Sequence, residues 1–173
     1  MQRAQSNLRT KALLVSFAVL ALLLLTLSKN VVTQIYAADG ALSVELDEQL
    51  ASDYCEKSWS KRGELDQKMY NYCMEKQSDG VVELNLLLQN YGPGGAKGEV
   101  PNLSDVLDFA MAQWAKPREY QMNMVQYNVN QMIEGFLDVQ YGYSQGEFTD
   151  EMVNGCAEQW LPQWNMVHYC LNN

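Results

Sequence analysis

Residues 55–73 read CEKSWSKRGELDQKMYNYC, and the spacing Cys55, Trp59, Met69, Tyr72, Cys73 returns twice further along the chain. The second copy is Ala110, Trp114, Met124, Tyr127, Asn128, shifted by 55 residues throughout. The third is Cys156, Trp160, Met166, Tyr169, Cys170, four residues shorter between Trp and Met. Repeats of this length are the mark of supersecondary units that bury their apolar faces only by stacking on neighbours.

Around each tryptophan the apolar residues fall at helical spacing: Val106, Leu107, Ala110, Met111 and Trp114 in the second copy, and Met152, Val153, Cys156, Ala157 and Trp160 in the third. Each set marks one face of an amphipathic helix. Ser104-Asp105 and Thr149-Asp150 stand where an N-cap and an acidic first turn belong. The first copy is looser, with Leu42, Leu46, Leu50 and Tyr54 forming a stripe after Ser43. A breaker follows each tryptophan: Gly63, Pro117, Pro162. A second helix comes next, clearest in Val125, Val129, Met132, Ile133, Phe136 and Leu137, and stops at Tyr141-Gly142. The first copy stops at Tyr91-Gly92, where glycine predicts a left-handed C-terminal cap. No strand-like alternation appears from residue 39 onward. The predicted fold is all-α: an N-terminal membrane or signal helix, then three tandem helical hairpins over units 41–91, 102–141 and 149–173, packed as a small bundle or short solenoid.

The cysteines fit hairpins. In one unbroken helix Cys55 and Cys73 would stand about 27 Å apart at 1.5 Å per residue, whereas a disulfide needs Cα atoms within about 7 Å. A reversal near Gly63 brings them together. The middle copy lacks both cysteines at once, as expected if the two thiols of a unit bond each other. The predicted pairs are therefore Cys55 with Cys73 and Cys156 with Cys170, in an oxidising compartment.

Charge divides the chain at Asp39. Residues 39–173 carry all 21 acidic side chains against 8 basic ones, a net charge of −13, while the N-terminus is purely cationic. Arg3, Arg9 and Lys11 precede an uncharged run from Ala12 to Leu27, and Lys29 follows it. Residues 1–38, with a hydrophobic helix over 12–37, have the layout of a signal anchor or a signal peptide. The domain 39–173 is then extracytoplasmic, in the periplasm or extracellular space. It is tethered if the segment stays, and secreted if cleavage after Ile35-Tyr36-Ala37 removes it.

Nothing in the pattern points to a reaction. The cysteines lack redox, haem or zinc spacing. His168 is the single histidine and has no catalytic partner in sequence. Glu134 and Asp138 stand one turn apart without a second constellation to select them. The methionines at the repeat position read as core filler, and Gly92–Gly98 reads as a linker lacking the phosphate-loop ending. No catalytic residue, metal ligand or cofactor is assigned. If aromatic residues bind a partner, Trp164, which lies outside the repeat position, is the first candidate, with Tyr141 and Tyr143 next. The function expected is a non-enzymatic, membrane-tethered interaction or scaffold protein. Its partner would be another membrane subunit or a basic protein surface, and not nucleic acid, since the acidic domain repels phosphates. The alternatives are a small periplasmic hydrolase using paired carboxylates, and a secreted ligand-binding or inhibitor protein.

Overall fold

Each tryptophan of the repeat ends one helix, and its backbone carbonyl accepts the N–H of the residue just before the next. The computed structural model, which describes residues 35–36 and 41–173, has this bond in all three units: from Asp66 to Trp59 (3.0 Å), Gln121 to Trp114 (2.7 Å) and Gln163 to Trp160 (2.8 Å). The helices so joined are α1 (Glu48–Trp59) with α2 (Gln67–Tyr91), α3 (Leu103–Trp114) with α4 (Met122–Ser144), and α5 (Asp150–Trp160) with α6 (Trp164–Leu171). The described residues all fall in one compact unit, Thr33–Asn173.

The disulfides join Cys55 to Cys73 and Cys156 to Cys170, with Cα–Cα distances of 5.7 and 5.9 Å. Each clips the first helix of an outer hairpin to its second. The middle hairpin is held by apolar burial instead, and the difference is visible residue by residue. Helix α3 buries Leu103, Val106, Leu107, Ala110 and Met111, whereas α1 buries only Ala51 and Cys55, and α5 only Cys156. The staples sit where the apolar grip is thinnest.

The second helices α2, α4 and α6 pack side by side in that order, with each first helix against its own partner. Two glycines set the approach. A Cβ on Gly80 of α2 would stand 2.5 Å from the backbone nitrogen of Asn123, and one on Gly135 of α4 would stand 2.5 Å from that of Asn165. The middle of each long helix thus receives the first turn of the next. Between α2 and α4 the contact is also polar: Gln77, 2 % exposed, accepts the Met122 N–H at 2.7 Å. That caps a helix start for which Gln121 supplies no side-chain bond. Ahead of α1, both amide atoms of Asn85 pair with the Val44 backbone, at 2.8 and 2.9 Å. Buried Tyr120 accepts the Asp47 N–H at 2.9 Å, and burial holds its phenol above the ordinary value.

Several expectations need correction. The apolar run expected as a helix over 12–37 lies outside the described residues except at Ile35–Tyr36, and those form a strand, β1, paired antiparallel with β2 (Leu42–Ser43). Among the described residues no helix is long and apolar enough to cross a membrane. The stripe from Leu42 does not start α1, because the chain runs extended across α2 until Asp47 caps Leu50 N at 3.0 Å. Helix α3 starts from Asn102, held left-handed at φ 57°, rather than from a Ser104 cap. Gly92 ends α2 at φ −76°, so it is not a left-handed cap. Its hydrogen is required because a Cβ would stand 2.5 Å from the Leu88 carbonyl oxygen. Helix α4 runs through Gly142 to Ser144 instead of stopping at Tyr141-Gly142, and the Phe148 ring packs where a Cβ on Gly142 would be.

Strands also occur at the first two reversals. β3 (Ser60–Lys61) pairs with β4 (Glu64–Leu65), and β5 (Ala115–Lys116) with β6 (Glu119–Tyr120), each through a two-residue turn. Arg62 and Gly63 both take positive φ, 56° and 85°, the geometry that matches the twist of a tight hairpin. Two-residue strands are too short for period-two alternation to announce them.

Replacing Cys55 and Cys73 by the pair found in the middle unit (C55A/C73N) tests the division of labour. Loss of an 18-residue cross-link lowers stability by about 3 kcal/mol on chain-entropy grounds. Urea unfolding should show that loss. Hydrogen exchange should show amide protection falling over 48–59 while 103–114 keeps its own.

Candidate functional site

The aromatic candidates separate once placed on this frame. Trp164 opens α6 directly over Gly135 and is only 7 % exposed. Its indole meets Phe136 edge-on, centroids 4.8 Å apart and planes at 68°, and Nε1 donates to the Pro101 carbonyl at 3.4 Å. Trp164, the first candidate for partner binding, is therefore largely buried. The shortened third turn delivers Trp164 to the interface between α4 and α6, where the missing Cβ of Gly135 makes room.

Trp164 instead floors a groove of about 470 Å³ with Phe136, Val139 and Val153, edged by Gln140, Tyr143 and Ser144. The volume lies in the range of small-ligand sites. Tyr143 belongs to its rim, and its hydroxyl donates to Asp150 Oδ1 at 2.7 Å. That bond to a carboxylate holds the phenol above its ordinary value. Tyr141 does not line the groove and is exposed on the outer side of α4. The structure thus brings Trp164 and Tyr143 together and leaves Tyr141 elsewhere.

A second surface lies where Tyr141 is. The large apolar residues exposed on α2 are Tyr72, Val82 and Leu86, and those on α4, apart from Tyr143 on the groove rim, are Tyr127, Leu137 and Tyr141. Each residue of the second set stands 55 positions after one of the first. At about 100° per residue, each trio falls within an arc of roughly 80° on its helix. Acidic residues recur at the same shift, Asp79 with Glu134 inside the arc and Glu83 with Asp138 about 20° beyond its edge. In α6 the motif tyrosine, Tyr169, is exposed as well. Tyr72, Tyr127 and Tyr169 are 52, 54 and 62 % exposed, while the motif tryptophans are half-buried. Reading the motif as a core pattern passes over these tyrosines. Their signal was available, because Val82, Leu86, Leu137 and Tyr141 keep the repeat shift on a face otherwise polar.

The charged groups on the stripe are engaged unequally. Lys76 pairs with Asp79 at 3.3 Å and lies 5.7 Å from the Tyr72 ring centroid. His168 Nδ1 is 3.6 Å from Asp138 Oδ2. Glu134 accepts from Asn130 Nδ2 at 2.7 Å and Gln131 Nε2 at 3.0 Å. Glu134 on the stripe and Asp138 at its edge are thus exposed, away from the groove. Among the described residues no group of three or more His, Cys, Asp or Glu could hold a metal ion. No protein-family model, curated protein or solved structure matches the chain.

Fluorescence tests the placement of Trp164. In a W59F/W114F/W160F variant the remaining indole should emit to the blue of free tryptophan and resist acrylamide until the protein unfolds. Emission and quenching like those of an exposed indole would contradict it.

Proposed function

We propose that the chain is a non-enzymatic interaction or scaffold protein. In this reading residues 1–38 tether it to a membrane, and the acidic, disulfide-stapled helical domain is presented outside the cytoplasm. Two disulfides suit an oxidising compartment, and the cationic, then apolar, N-terminal sequence suits a tether.

The observation that carries the interaction reading is the exposure of the motif tyrosine in all three units. Core packing accounts for a residue repeated at a buried position. It does not account for one repeated where more than half of its surface meets water. Tyrosine offers a large, rigid contact area at a small cost in side-chain entropy, and aromatic residues are enriched among binding hot spots. A ligand-binding protein is the second reading, favoured by the apolar groove that Trp164 lines.

Site-specific photo-cross-linking separates them. With a photoreactive phenylalanine at position 127 of the full chain, irradiation of intact cells should give a discrete higher-mass adduct, absent when the probe replaces Lys97 on the loop. An adduct pattern independent of probe position would defeat the interaction reading. Probe at position 143 reacting with a small molecule, with none at 127, would favour the ligand-binding alternative.

A further inference from the structure

Helix α2 already shows what the stripe can hold. The Lys76 ammonium lies over the Tyr72 ring and against the Asp79 carboxylate, so three side chains at i, i+4 and i+7 form a cation seat filled by the chain itself. Shifted by 55, the same three positions on α4 are Tyr127, Gln131 and Glu134. The ring and the carboxylate recur, and the lysine does not. Gln131 bonds Glu134 through its amide, and among the described residues no cation pairs with that carboxylate.

We infer that the α4 seat is completed by a Lys or Arg of a partner, presented on a cationic amphipathic helix that lies along the stripe. This rests on the reading of the stripe as a contact surface. The chemistry of the occupant follows from three features. A ring face and a carboxylate together favour a cation, through the ring quadrupole and direct charge. Leu137 and Tyr141 flank the seat on the same arc and call for apolar side chains at helical spacing in the partner. A second copy of this chain would bring one acidic domain of net −13 against another, and an anionic lipid surface would be repelled in the same way.

The seat also has an internal mimic. Gln131→Lys would supply on α4 the ammonium that Lys76 supplies on α2, at a half-buried position where Gln131 already bonds Glu134 and a lysine adds an i,i+3 pair with it.

The test uses the full chain in uncharged detergent and a fluorescent 18-residue Lys/Leu peptide with helical periodicity, alongside its Gln/Leu counterpart. Anisotropy should report binding of the Lys/Leu peptide that weakens as salt rises. Affinity should fall at least tenfold in Q131K and in E134Q, with circular dichroism and urea midpoint unchanged. The Gln/Leu peptide should bind at least tenfold more weakly than the Lys/Leu peptide. Equal binding of the two peptides, or undiminished binding to Q131K, would overturn the cation seat. If the seat fails in this way while the probe at position 127 still forms its adduct in cells, the contact surface stands and only the chemistry of its partner is wrong. Failure of both removes the surface as well.

Discussion

Two hydrogen atoms, the side chains of Gly80 and Gly135, decide how close the second helices of the three units can come. In each case the backbone of the next second helix occupies the space where any larger residue would put its Cβ. The approach brings Asn123 and Asn165, equivalent residues of successive units, onto equivalent glycines 55 positions apart. The stack of α2, α4 and α6 is therefore one contact made twice. The inner polar bond, the buried aromatic pair and the outer stripe all take their positions from it. Gln77 reaches the Met122 N–H because the α4 start lies against α2, and Trp164 reaches Phe136 because the α6 start lies against α4.

Around that spine the first helices are held by two different means. Five buried side chains anchor α3, which sits in the middle unit. The outer α1 and α5 offer one or two buried residues each, and a disulfide in each hairpin replaces the missing apolar area with a constraint on the unfolded chain. Asn128, at the place of the absent cysteine, turns its amide to the Met124 carbonyl on its own helix. The interior stacking leaves the outer arcs of α2 and α4 free of packing duties, and there the repeat keeps tyrosine, aliphatic and acidic positions in register.

The hairpins and the cysteine pairing were legible in the sequence because both are spacing properties: a period, a breaker, and thiols that vanish together. The helix starts were less so. Asp47 caps α1 where the distant Tyr120 hydroxyl holds its N–H, and Asn102 takes the N-cap position of α3 with no side-chain bond to announce it; no local pattern contains either. Trp164 misled for a related reason. Outside the repeat position it reads as free, yet its burial is set by Gly135, 29 residues earlier in the chain. The exposed tyrosines were in plain view within the motif. Periodicity alone does not say which face of a helix a repeated aromatic occupies, so they were indistinguishable from core.

The measurement that reaches the centre of this account is the sign of a glycine-to-alanine change at three helical positions. On propensity alone each change should stabilise by about 1 kcal/mol, since alanine costs less backbone entropy in a helix. Gly155 in α5 has nothing within 4 Å of an added Cβ, and G155A should raise the urea midpoint accordingly. G80A and G135A should lower it, by about 1 to 3 kcal/mol in unfolding free energy, as the next helix is forced away. Stabilisation by all three substitutions would contradict the close-packed stack on which the rest depends.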